Sequence, residues 1–247
     1  MKKLTIFLLS AFLLTTSTAF AREVSIRMGN FEPYYIENGN TGIFADLITA
    51  AFHHMPDHYP VFEYGFSNNA LWSSFKASRA DATTNVFDSV KLSGCRSDPV
   101  FRFHDVAVTR ANANIKIDSI ADLNGKSIVT FQGARKFFGK DFEMAINPNT
   151  YQEIGKPKLQ ARMLHGGRVD VSVGDLFIFL QSLKNMNKAS GKSGDFVFHE
   201  IFPQISSRMG FHDNQLCAEF NAALKKIRQS GEYDKIYDSY LKKLGYK

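Results

Sequence analysis

Short runs of residues typical of β-strands are followed, repeatedly, by segments with helical periodicity. Residues 24–28 alternate apolar and polar side chains, which predicts a strand with one buried face. Residues 43–54 then place five apolar side chains on one stripe, which predicts an amphipathic helix. Strands that alternate with helices favour mostly parallel sheets covered by helices, so we predict an α/β fold.

The alternation forms two blocks that are separated near Arg110. We predict strands over 24–28, 61–64, 80–86, 105–110, 127–131, 169–173, 196–202 and 206–211. We predict helices over 43–54, 71–78, 119–123, 134–142, 158–164, 176–185, 215–229 and 233–243. Two blocks indicate two α/β lobes, and such lobes bind a ligand in the crevice between them, at the carboxyl ends of their strands.

The first 21 residues have the pattern of a cleavable signal peptide. Two lysines precede an apolar run over 4–14, and Ala19-Phe20-Ala21 provides small residues for cleavage. The run is shorter than the ~20 residues that span a bilayer. We therefore expect a mature chain from Arg22 that is soluble and periplasmic.

Composition excludes several other classes. The chain has 247 residues, of which 44% are hydrophobic and 22% charged, so it can bury a substantial core. Two cysteines are too few for a four-thiolate zinc site. Cleavage after residue 21 lowers the formal charge from +6 to +4, because the segment carries two lysines and no acid. No basic stripe accompanies this charge, and we expect no nucleic-acid partner.

Six segments together resemble the bacterial family 3 extracellular solute-binding proteins, the periplasmic receptors of polar amino acid transporters. Each is weak alone, but they occur in the family's order along the whole mature chain. The segments are Phe31-Glu32-Pro33-Tyr34 with Gly42-Ile43-Phe44-Ala45-Asp46-Leu47, residues 75–82, Ser97-Asp98-Pro99, residues 120–128 with Gln132-Gly133, residues 167–175, and residues 220–224 with Ser230-Gly231 and Ile236-Tyr237.

The resemblance implies a two-lobe periplasmic binding protein fold of type II. Lobe 1 would comprise residues 22–108 and 207–247, and lobe 2 residues 109–206, after a signal peptide over 1–21. Two extended crossings, at 105–110 and 200–206, would form a hinge that closes around a ligand. The implied function is capture of a small polar amine-bearing or amino-acid-like solute for an ABC transporter permease in the inner membrane, by a monomer without cofactor.

The family's ligand contacts map onto four residues of this chain. Asp175 follows the predicted strand 169–173, at the position whose carboxylate meets a ligand ammonium; an Asp there also suits a helix N-cap. Phe31 matches the aromatic residue that covers the ligand. Asn68 and Asn85 fall at positions that line the cleft.

The family's carboxylate-binding Arg is absent from this chain. Lys91 is the nearest cation, although an ammonium cannot make the two-pronged contact of a guanidinium, and Arg96 is an alternative. A second anion site is predicted at Gly133, where a turn opens a helix, with Arg135 as its cation. Lys91 and Arg135 therefore remain two alternatives, and a ligand without an α-carboxylate is a third.

Cys95 and Cys217 both fall in predicted lobe 1, and in an oxidising periplasm they form a disulfide if the fold brings them close. No catalytic constellation or metal-ligand spacing is evident, so we expect a binding protein and not an enzyme. Two alternatives stay open: an enzyme of the same fold resembling cyclohexadienyl dehydratase, and a ligand-sensing protein for a membrane signalling receptor.

Overall fold

The computed structural model describes residues 21–186 and 195–246, so the predicted signal peptide lies outside the described residues as far as residue 20. The strands are β1 (Arg22–Arg27), β2 (His58–Glu63), β3 (Ala82–Val86), β4 (Cys95–Arg96), β5 (Phe101–Phe103), β6 (Asp105–Arg110), β7 (Ile128–Phe131), β8 (Tyr151–Ile154), β9 (Val171–Asp175), β10 (Phe196–His199) and β11 (Ile205–Phe211).

The helices occupy most of the segments that the apolar periodicity predicts. They are α1 (Ile43–Phe52), α2 (Asn68–Lys76), α3 (Ala134–Phe138), α4 (Lys140–Ala145), α5 (Gln160–His165), α6 (Leu176–Asn185), α7 (Asn214–Gln229) and α8 (Glu232–Lys243). Short 3-10 helices cover Ala111–Ala113, Ile120–Leu123 and Pro157–Leu159. The helix predicted over 134–142 is divided into α3 and α4 at Gly139, which has a φ of 83°.

The strands form two mixed sheets. The first sheet has the order β2-β1-β3-β11-β4, with β5 also paired to β11, and the second has the order β10-β6-β9-β7-β8. The pairs β1–β2, β1–β3, β7–β8 and β7–β9 are parallel. The prediction of mostly parallel sheets is therefore wrong, because β6 and β11 run against their neighbours.

The reversed strands follow from the way the chain passes between the sheets. The first passage lies at His104, between β5 and β6, and the second at residues 200–204, between β10 and β11. Strands β6 and β11 each enter their sheet directly from the hinge. In the first sheet β11 starts at the edge where β3 ends, and in the second sheet β6 starts at the edge where β7 and β9 end. Each therefore runs antiparallel to those strands. The predicted lobe boundaries after residues 108 and 206 fall inside β6 and β11.

Helix α1 is one of the helices that pack beside the first sheet, and its start and buried face follow from the local sequence. Its apolar stripe is buried, and the helix packs against α7 and α8. Gly42 precedes it with a φ of 116°, and a Cβ atom there would lie 2.5 Å from the Tyr34 carbonyl oxygen. Only glycine fits this turn without strain. On the same side of the molecule, a disulfide joins Cys95 of β4 to Cys217 of α7.

Candidate functional site

A cavity of about 340 Å³ lies where the two sheets meet. Residues of both sheets and of their connecting loops contribute to its wall. The lining residues are Asn30, Phe31, Asn68, Asn85, Phe87, Phe103, Asp105, Phe131, Phe137, Pro157, Gln160, Asp175, Ile178 and Phe179. This volume is in the range of small-molecule sites.

Asp175 ends β9 and is buried beneath this cavity. Its Oδ1 accepts the backbone N–H of Ile178 at 3.0 Å, so it caps the N-terminus of α6. Its Oδ2 accepts the Tyr34 hydroxyl at 2.6 Å and the backbone N–H of His104 at 3.0 Å. Burial raises the pKa of Asp175, although these three hydrogen bonds favour its ionised form. Through these bonds Asp175 connects the loop between β1 and α1, which carries Tyr34, to the hinge at His104 and to α6.

A second carboxylate, Asp105, lies beside Asp175. It is the first residue of β6 and stands directly opposite Asp175 in the antiparallel ladder, so both side chains project from the same face of the sheet. Asp105 is 5% exposed. Burial and the neighbouring charge of Asp175 raise the pKa of Asp105 to about 8. Within residues 21–186 and 195–246, no hydrogen-bond donor contacts this carboxyl group.

Amide side chains form one polar side of the cavity. The Asn85 Nδ2 donates to Asn68 Oδ1 at 3.1 Å, and the Asn85 Oδ1 accepts the Ser207 hydroxyl at 3.2 Å. Asn85 adopts a left-handed backbone with a φ of 57°, and its carbonyl accepts the Trp72 indole N–H at 3.0 Å. Trp72 therefore supports the cavity wall from behind and is not among the lining residues.

Phenylalanine rings form most of the remaining wall. Phe31, Phe87 and Phe103 approach from the first sheet, and Phe131, Phe137 and Phe179 approach from the second. Phe31 packs edge-on against Tyr35 at 5.1 Å between ring centroids, and this contact fixes its position on the loop between β1 and α1. The cavity therefore combines an apolar body with two carboxylates, and its described lining contains no Lys, Arg or His.

Lys91 is not in the cavity. It is exposed on the loop between β3 and β4. Arg96 is directed back onto the same loop, where its guanidinium donates to the carbonyls of Asp88 and Val90. The loop is therefore held by Arg96, and neither cation reaches the lining residues.

Gly133 and Arg135 line a separate depression on the second lobe. The backbone N–H groups of Gly133 and Arg135 donate to the Glu153 carboxylate at 2.7 and 3.0 Å. Partial burial raises the pKa of Glu153, but these two bonds, the hydrogen bond from the Tyr151 hydroxyl and the charge of Arg135 together outweigh it and hold the pKa below its usual value. The Arg135 guanidinium lies over the Tyr151 ring at 5.3 Å. Glu153 therefore occupies the position at which the sequence predicted the anionic group of a ligand.

The structure thus brings together Phe31, Asn68, Asn85 and Asp175 of the predicted site, and it places Lys91, Gly133 and Arg135 elsewhere. The acidic lining residue that sequence reasoning missed is Asp105. Its signal is an acid at the start of a strand whose next three residues are apolar, in a segment that was predicted as a strand and a hinge crossing but not as part of the site.

Residues 21–186 and 195–246 contain no cluster of His, Cys, Asp and Glu that could hold a metal ion. None of the helices in these ranges is long and apolar enough to cross a membrane.

Comparison with solved structures defines the class of fold. The chain has the two-lobe α/β fold of type II periplasmic binding proteins. The probable amino-acid ABC transporter extracellular-binding protein of Bacillus subtilis matches with a TM-score of 0.70 and 19% identity, over 91% of this chain and 99% of that one. The GluR0 ligand-binding core of Nostoc punctiforme, in complex with L-glutamate, matches with a TM-score of 0.64 and 20% identity, over 88% and 98%.

Sequence comparison adds a curated relative. The probable histidine-binding protein of Neisseria gonorrhoeae is 31% identical over 169 residues. The aligned segment spans 65% of this chain and 59% of that relative's length. No protein-family model matches the chain. The resemblance to amino acid-binding proteins that the motifs indicated is confirmed.

Proposed function

We propose that this chain is a periplasmic solute-binding protein that captures a small amine-bearing or amino-acid-like solute and delivers it to an ABC transporter permease. The observation that carries the proposal is Asp175, a buried carboxylate in a cavity between two lobes, with contacts to both lobes and to the hinge. A ligand ammonium at this position would be bound by charge and hydrogen bonds in a site shielded from water.

The relatives support the same function. The curated relative is named as a histidine-binding protein, and the Bacillus structure as a component of an amino-acid ABC transporter. An exported protein fits the predicted signal peptide over 1–21, with lobes at 22–108 plus 207–247 and at 109–206. Hinge closure about the two passages would enclose the solute.

Ligand binding is tested by a thermal-shift screen of amino acids, amines, opines and small acids, followed by calorimetry. A ligand at 100 times its Kd stabilises the native state by about 2.7 kcal/mol. Asp175→Asn should weaken the best ligand by about ten- to a hundredfold, which is the loss of one charge-assisted bond. Asp141→Asn, the same change on the exposed surface of α4, is the control and should bind as wild type.

Delivery and catalysis are tested separately. Uptake of the radiolabelled ligand should depend on the gene in intact cells, and cell fractionation should find the protein in the periplasm. Chromatography of the ligand after prolonged incubation should recover it unchanged. Conversion of the ligand to a product would establish the alternative, an enzyme on this fold.

A further inference from the structure

The cavity holds two acids and no base among its described lining residues. Asp105 and Asp175 face it from neighbouring strands, while the other polar groups are the uncharged amides Asn30, Asn68, Asn85 and Gln160. A ligand that enters this space therefore meets two carboxyl groups at one end. The remaining wall is apolar.

The two carboxylates are not equivalent. Asp175 already accepts three hydrogen bonds, from Tyr34, His104 and Ile178, which fix its position. Asp105 is 95% buried and accepts none from the described residues, although its side chain lines the cavity. A buried carboxyl group without a protein donor can be satisfied by a donor on a ligand.

The cations and donor groups that the sequence predicted for a ligand carboxylate are engaged elsewhere or lie outside the cavity. Arg96 is bonded to loop carbonyls, Lys91 is exposed, and the N–H groups of Gly133 and Arg135 hold Glu153. A ligand carboxylate in the cavity would lose its water and lie near two acids. Burying an unpaired charge in this way is strongly unfavourable.

We infer, on the basis of the proposed function, that the cleft selects a primary amine that carries no carboxylate. The ammonium is bound between Asp105 and Asp175, with Asp105 as the residue that determines charge specificity. The apolar body of the ligand lies against the phenylalanines, whose ring faces also attract cations. The ligand class is thus the decarboxylated counterpart of an amino acid.

Matched ligand pairs test this inference, because the members of each pair differ only in the carboxylate. Histamine with histidine, phenethylamine with phenylalanine, and agmatine with arginine are titrated by calorimetry into protein freed of co-purified ligand by unfolding and refolding. For the side chain that fits best, the amine should bind at least tenfold more tightly than the amino acid. An amino acid that binds as tightly as its amine, or more tightly, overturns the inference and leaves the proposed function intact.

Substitution of Asp105 tests its role in the recognition of the amine. Asp105→Asn should weaken amine binding by about ten- to a hundredfold and reduce the preference for the amine, since Asn cannot release a proton to become the second negative partner of the ammonium. Asp141→Asn should leave both values unchanged. An Asp105→Asn protein that binds the amine as wild type overturns the role of Asp105. Absence of binding by every amine and every amino acid overturns the inference and the proposed function together.

Discussion

Replacing Asp105 with Asn should stabilise the ligand-free protein at neutral pH, although it weakens ligand binding. Asn has nearly the same size as Asp but does not titrate, so the variant removes the buried titrating group and little else. The groups that face Asp105 are the Asp175 carboxyl, the Tyr34 hydroxyl and the hinge at His104, whose imidazole pairs with Glu200. None of them offers Asp105 a compensating positive charge in direct contact.

The magnitude follows from the pKa. Burial and the Asp175 charge raise the pKa of Asp105 from 3.8 to about 8, so between these values the folded protein keeps a proton that the unfolded chain releases. Stability therefore falls as pH rises from about 4 to about 8 and is constant above that range. Each pH unit is worth about 1.4 kcal/mol, which gives a cost on the order of 4 kcal/mol at pH 7.

Urea unfolding at pH 5, 7 and 9 measures this cost. Wild type should lose stability between pH 5 and pH 9, while Asp105→Asn should show a shallower slope and a gain of up to ~4 kcal/mol at pH 7. Asp141→Asn, an exposed control, should keep the wild-type slope. If Asp105→Asn is less stable than wild type at pH 7, or keeps its slope, then the Asp105 carboxyl is not held protonated by burial.

Three further substitutions test the framework around the site. The double variant Cys95→Ser, Cys217→Ser opens a link across 122 residues and should lower the free energy of unfolding by about 3–5 kcal/mol in urea; an unchanged midpoint would show that the disulfide contributes nothing. Gly42→Ala should lower it by more than ~1 kcal/mol, because the φ of 116° is unfavourable for alanine and its Cβ meets the Tyr34 carbonyl; a melting temperature equal to that of wild type contradicts this. Tyr34→Phe removes a buried donor to Asp175 and should cost about 1–3 kcal/mol by the same measurement, whereas a neutral result would mean that the bond is dispensable.

Local sequence determined the α/β class and most element positions. The strand over 105–110 and the helix over 176–185 were predicted with the bounds that the structure has. Apolar periodicity suffices there because each segment buries one face against a neighbour. The strands β4, β5 and β8 were missed, since they are only two to four residues long and carry no clear alternation.

The candidate site, too, was predicted only in part from the sequence. The motifs pointed to Phe31, Asn68, Asn85 and Asp175, which the structure places around one cavity. Only the tertiary structure could place Asp105 opposite Asp175, because strand register joins residues 70 positions apart. Likewise, Glu153 lies on β8, a strand that the sequence pattern did not reveal, and its carboxylate accepts the backbone N–H groups of Gly133 and Arg135. Local patterns record which face of a segment is buried, whereas the partners of a charge depend on contacts between distant segments.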